Sequence, residues 1–575
     1  MPQAVDNIAF VLEQLSEQVR NLERRVAALE GQPQKPDSTE PQTSSLKLER
    51  PRPPATWRGF PPVETPSGFV PIFGKAVLGI AGAYLLRALA ESSSIPKFSV
   101  LFVAVLYACG WMIWAVRVHN AGRLASTVYA VTSALILSPM LWESTVLFQV
   151  LSPALAAALT VAFVVLAIAL AWPENLQLIP SVATLTSVIT ALALIIATHD
   201  LVPLTVALLV MALVTEAAAC LGHRLTLRAI PALAADFAVW LLVFILASAE
   251  NIPEGYQPAP ANVITLLCFL LLAIYGASVG LRSFVLLQSI TVFEIAQAVV
   301  AFALASYGVM RATHGAIATE LGGFYLALSA ICYWGTLSRF SGPDYPRNRR
   351  VCATWAAALL LGGSFLISPA PFQIALLSVS AAAAALLYTR TRKLSLGIHA
   401  SLYMAAAAAL SPVPGYAANS LAGSVPAAPD WRLWLVAFLA VICYLIGSRV
   451  AEEQSRRRLL WVVPAAIASF TGAALAVAAI AHLAAGRAEI APSLLSVVRT
   501  VVVCLLALGL ALASSRFHRV ELGWLAYTAV ALGTLKLLLE DLRFGNPGSL
   551  VASLLFYGLI LIFLPRIMRH RSTQS

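Results

Sequence analysis

Apolar runs of about eighteen to twenty-five residues, the length that crosses a hydrocarbon core, recur along most of this chain and leave it few other folds. They begin near Pro71, Phe98, Leu124, Ser152, Gln177, Leu201, Ala229, Ala261, Gln288, Ala316, Val351, Pro371, Leu394, Trp431, Leu459, Ser493, Val520 and Pro547, and they stop at turn residues or charges. The expected fold is all-α, a polytopic transmembrane helix bundle of roughly eighteen spans over 71–565 with a basic cytoplasmic tail at 566–575. Lys75 and Arg87 bracket the first run, which stays a span because long basic side chains near helix ends reach the interface. Charged residues make up only 11% of the chain, against about a quarter in soluble domains, so lipid is the solvent this composition needs.

The charges test the span count independently, because one missed span would invert every later loop. Alternate loops receive Arg117 and Arg123, Arg224 and Arg228, Arg282, Arg339 with Arg347, Arg349 and Arg350, Arg390 with Arg392 and Lys393, Arg449 with Arg456 to Arg458, Arg516 and Arg519, then Arg566, Arg569 and Arg571. The loops between them hold only Lys97, Arg311, Arg432, Arg487 and Arg543. This is a positive-inside pattern held from end to end, and it places both termini in the cytoplasm. It also accounts for the excess of 38 Lys and Arg over 27 Asp and Glu without a nucleic-acid partner; the bilayer is the partner.

Before the first span, Val5, Ile8, Leu12, Leu15, Val19, Leu22, Val26 and Leu29 recur at alternating spacings of three and four. That seam predicts a short cytoplasmic coiled coil over 1–30, and Val at most a positions favours a parallel homodimer. The alternative is a lone amphipathic helix lying on the bilayer or against the protein. Residues 31–70 are rich in Pro, Ser, Thr and Gln and read as a disordered or polyproline linker; the RPRPP at Arg50 to Pro54 reads as spacer.

Motifs of soluble catalysis are missing. The sequence has no HExxH, no GxSxG and no GxxxxGK[ST], so no catalytic residue is assigned. All seven cysteines sit in or beside apolar runs without CxxC or metal spacing and read as small buried hydrophobes; neither a metal nor another cofactor is expected. The first outward loop, about Glu91 to Lys97, is too short for the acidic loop that multi-pass glycosyltransferases use, and the longest one, about Ser411 to Asp430, is neutral and rich in Pro, Gly and Ala.

Three stretches, PIFGKAVLGIAGAYLLRALAE at Pro71 to Glu91, LGIHASLYMAAAAALS at Leu396 to Ser411 and GWLAYTAVALGTLKLLLEDL at Gly523 to Leu542, follow the coiled-coil arm and tether in order. In that order they resemble a bacterial domain-of-unknown-function family of predicted multi-pass membrane proteins. The resemblance implies a bacterial inner membrane location and brings no activity with it.

Chemistry must then come from ionisable residues inside the spans, which are costly in lipid and face the bundle interior or water. Glu216, Asp236 and Glu294 fall about 8 to 11 Å from the cytoplasmic face at 1.5 Å per residue, with His399 at a similar depth. Glu320, Arg499 and Lys536 lie near the outer face, with Glu540 one turn beyond Lys536. The functional reading is an acidic inner vestibule and a charge-paired outer gate; the structural reading is packing contacts between neighbouring helices. Gly276 and Gly280 form a GxxxG that predicts a close helix contact. A transporter or channel-like protein comes first, a non-catalytic envelope scaffold carrying a dimerising arm second, and a membrane enzyme on a lipid-linked substrate third.

Overall fold

The computed structural model describes residues 66–91, 96–223, 227–247, 252–342, 344–367, 369–423, 428–449, 458–485, 491–541 and 547–569. The heptad arm at 1–30, the Pro-rich segment up to residue 65, and Arg224, Arg456, Arg457, Arg487, Arg543 and Arg571 of the charge pattern lie outside the described residues.

Among the described residues there are 19 α-helices and no strand. The first eleven are α1 (Pro66–Glu91), α2 (Lys97–Arg117), α3 (Arg123–Trp142), α4 (Pro153–Ala171), α5 (Leu178–Thr198), α6 (Leu201–Cys220), α7 (Ala229–Leu242), α8 (Ala261–Gly280), α9 (Val292–Ala312), α10 (Ala318–Trp334) and α11 (Pro346–Ile367). The rest are α12 (Ala370–Thr391), α13 (Leu394–Leu410), α14 (Val413–Ala422), α15 (Trp431–Ser448), α16 (Val462–Ala485), α17 (Pro492–Arg516), α18 (Val520–Lys536) and α19 (Pro547–Arg569). Seventeen are long and apolar enough to cross a membrane, and α13 with α14, bent by 66°, bring the number to eighteen where the pair is counted as one span. The chain is a multi-pass membrane protein.

Contacts between loops support that count without reference to lipid. At one end His223 Nδ1 meets Asn175 Oδ1 at 3.0 Å, Arg339 Nε donates to the Phe284 carbonyl at 3.2 Å, and Arg458 donates to the His518 carbonyl. Lys393 Nζ donates to the Thr336 carbonyl at 2.8 Å at the same end; burial, reinforced by Arg349, lowers its pKa from the ordinary lysine value. At the other end Arg87 pairs with Glu143 at 2.8 Å, and His199 packs edge-on against Tyr256. Each set joins loops of one parity, the first being the arginine-rich end. Lys393, just before α13, is tied to Thr336 at that end, and Arg499 on α17 holds the last turn of α14.

Two readings are corrected here. The segment taken as the longest outward loop contains α14, a ten-residue helix that starts on Pro412 and Pro414, where the chain needs no N–H and φ is already set. Arg566 and Arg569 close α19 instead of standing in a tail.

Packing divides at α11. Its Leu359 belongs to a core built from α1 to α11 and its Ala357 to one built mainly from α12 to α16; two residues lie roughly 200° apart on a helix, so α11 serves both cores from opposite faces. The close backbone approach is at Gly322 and Gly363, between α10 and α11, where a Cβ on either would sit 2.9 Å from the other's carbonyl oxygen. Gly276 and Gly280 do not make one, since a Cβ there would meet nothing within 4 Å. All seven cysteines are buried or half-buried and unbridged.

Candidate functional site

The link from α6 to α7 is short, and the two helices pack side by side, with α8 against both and α9 against α7 and α8. This brings the three inner acids onto neighbouring helices. Glu216 on α6 is 3% exposed; its Oε2 accepts from Ser278 Oγ on α8 at 2.7 Å, and its Oε1 has no partner among the described residues. Asp236 on α7 is 4% exposed; its Oδ2 accepts from Gln297 Nε2 on α9 at 2.7 Å, and its Oδ1 has no partner among the described residues. Tyr275, one turn before Ser278 on the same face of α8, lies within electrostatic range of both carboxylates, and its hydroxyl is unpartnered too. Thr205 on α6 and Thr265 on α8 add two further buried hydroxyls without partners.

Glu294 is built differently. It is the third residue of α9 and closes a capping box, its Oε2 accepting from the Thr291 N–H at 2.8 Å while Thr291 Oγ1 accepts from the Glu294 N–H at 3.3 Å. Its Oε1 takes Arg228 Nη2 at 3.1 Å and also Arg282, which sits on the π-helical turn Leu281–Val285 that continues α8. Two guanidiniums and a helix N-terminus therefore surround one carboxylate. Gln297 stands one turn further along α9, so a polar strip leads from Glu294 at the rim through Gln297 to Asp236.

His399 does not join the acids. Its Nδ1 meets the Tyr333 hydroxyl at 2.8 Å, and that hydroxyl meets Tyr403 at 2.5 Å, beside the second core. Glu320 is exposed on the first turn of α10, where the helix dipole favours an acid, and the structure does not bring it to Arg499 or Lys536.

Arg499 and Lys536 do converge. Arg499 on α17, 2% exposed, donates to the carbonyls of Ser420 at 2.8 Å, Asn419 at 3.2 Å and Gly423, and to Glu540 Oε1 at 2.7 Å. Lys536 Nζ donates to Ser496 O at 2.7 Å and Thr500 Oγ1 at 2.7 Å and stands 3.9 Å from Glu540. The last turn of a helix leaves carbonyls without N–H partners, and here a buried guanidinium supplies the missing donors for α14.

Sequence reasoning missed Glu143, in the π-helical turn Glu143–Leu147 after α3, and Glu521, in the first turn of α18, where its Oε1 accepts from Tyr444 at 3.3 Å. Both are buried, and both sit at span ends where an acid looks solvated; the nearby Arg87 and Arg519 were the available signals. Among the described residues no three His, Cys, Asp or Glu side chains are placed to hold a metal ion. Compared with known proteins, the chain matches no family model, no curated protein and no solved structure.

Proposed function

We propose that this chain is a transporter of the bacterial inner membrane, with both termini cytoplasmic, in which Glu216 and Asp236 carry a proton or a monovalent cation. The observation that carries the reading is the pair of buried carboxylates on adjacent helices, each with one oxygen bonded and the other without a partner among the described residues, and both within electrostatic range of Tyr275, whose hydroxyl has none either. A carboxylate oxygen buried without a donor costs the desolvation of a polar atom, and the neighbouring side chains supply no donor to either of these two. A bound proton or cation offsets that cost, and its release restores it, which is the chemistry of a coupling site.

Glu294 supports the reading from the rim. Its two arginines hold it in place at the rim end of the strip that leads toward Asp236. The bent α13–α14 pair supports it as well, because helices interrupted at membrane depth recur in transporters.

The test uses the full chain in proteoliposomes with a trapped pH-sensitive dye and an imposed potential. Wild type is expected to pass protons or to show a cation-dependent pH response, and Glu216→Gln and Asp236→Asn are expected to abolish it while inserting normally. An unchanged response in both variants would remove the reading and leave the scaffold as the better account.

A further inference from the structure

At the arginine-rich end the turn between α2 and α3 faces the turn between α4 and α5 across a cleft of about 530 Å³. Its walls include His119, Arg123, Ser126, Thr127, Glu174 and Gln177. We propose that this cleft binds a phosphate group, either the phosphodiester of a lipid headgroup or free phosphate.

Four observations point there. Arg123 is exposed, and its guanidinium has no ion pair or hydrogen bond among the described residues. The N-terminus of α3 opens on the same space: its N-cap is Gly122, no side chain caps the first turn, and a Cβ at Gly122 would meet nothing within 4 Å. Uncapped amides at the positive end of a twenty-residue helix are acceptor-seeking groups, and phosphate is their usual guest. The α5 N-terminus at Gln177 is uncapped too and lines the opposite wall.

Ser126 is the independent sign. It is 5% exposed and lines the cleft, and its hydroxyl makes no hydrogen bond among the described residues. Two hydroxyls of the same helix bond back to the preceding turn, Thr127 to the Arg123 carbonyl at 2.9 Å and Thr132 to the Val128 carbonyl at 2.9 Å, and Ser126 does not. Ser126 is thus a donor in reserve, three residues from Arg123 and on its helical face.

Glu174 sets the charge of the guest. Its Oε2 lies 3.7 Å from His119 Nε2, so the cleft holds one guanidinium, one imidazole and one carboxylate. That balance suits a singly charged diester better than a multiply charged anion. The cleft lies at the level where the spans end, which is where headgroups lie, and basic pockets between helices at that level take anionic heads.

The experiment uses the full chain in detergent. Native mass spectrometry with added phosphatidylglycerol reads the lipid source, and equilibrium dialysis with labelled inorganic phosphate reads the free one. Arg123→Gln is expected to weaken binding at least tenfold, Ser126→Ala severalfold, and Glu174→Gln to strengthen binding of inorganic phosphate; Arg390→Gln, an exposed base at the same end, is expected to leave both unchanged. Loss confined to the lipid assigns a headgroup, and loss confined to phosphate assigns the free anion. Binding of neither by wild type, or equal binding by wild type and Arg123→Gln, or equal loss in Arg390→Gln, overturns the proposal.

Discussion

Arg499 Nη1 donates to Glu540 Oε1 at 2.7 Å, and the same guanidinium holds three carbonyls at the end of α14. Breaking one partner of a buried charge pair costs about 3–5 kcal/mol, because the other charge is left uncompensated. Arg499→Met is therefore expected to lower the thermal unfolding temperature in detergent strongly, and Glu540→Gln, which keeps an acceptor, to lower it less. Arg499→Met combined with Glu540→Leu should recover part of the loss. A melt of Arg499→Met superimposable on wild type would refute the lock.

Gly447 on α15 lies under the Trp461 ring, where an added Cβ would sit 2.2 Å from ring carbons, and Trp461 is fully buried. Overpacking a well-filled site typically costs about 1–3 kcal/mol. Gly447→Ala is expected to lower the unfolding temperature and shift Trp461 fluorescence toward the red. Gly472→Ala on α16, whose Cβ would meet nothing within 4 Å, is the control and should be neutral or slightly stabilising.

With α13–α14 counted as a crossing, the bundle has an even number of spans. A reporter fused after Arg571 and one fused before α1 should read the same, cytoplasmic side, and a reporter in the α14–α15 loop the opposite one. Discordant ends would mean that the bent pair returns to the side it left.

The seam of Val5, Ile8, Leu12, Leu15, Val19, Leu22, Val26 and Leu29 predicts parallel pairing of two copies. In a background free of the seven native cysteines, Leu15→Cys should cross-link between chains in membranes. Failure to cross-link, with Leu15→Cys labelled freely by a soluble maleimide, would leave a lone helix.

Hydropathy carried most of the fold because lipid makes one demand on every span. Runs read from Leu201, Ala229, Ala261, Leu394, Trp431 and Leu459 begin where the helices or spans do. α14 escaped because ten residues containing Pro414 and Gly415 fall below the length that hydropathy detects. Glu216 and Asp236 were legible because a carboxylate in a span is too costly to face lipid, and both are buried. Partners were not legible. Arg228 and Arg282 counted only toward sidedness, yet they pair with Glu294, and His399 shares a depth with the acids but not a neighbourhood. Depth is a one-dimensional quantity, and proximity needs the angle around each helix.

The grip on α14 also orders the chain in time. Ser420 and the arginine that accepts responsibility for its carbonyl are separated by 79 residues, so a nascent chain finishes α14 well before Arg499 is made. Glu540 follows later still. Until both are synthesised, the end of α14 has only water, headgroups or a chaperone to meet its carbonyls. α17 and α18 with its π-helical continuation are thus needed to complete an earlier helix, and a chain stopped before α17 is expected to be recognised by membrane quality control as unfinished, even though every span before that point has been inserted.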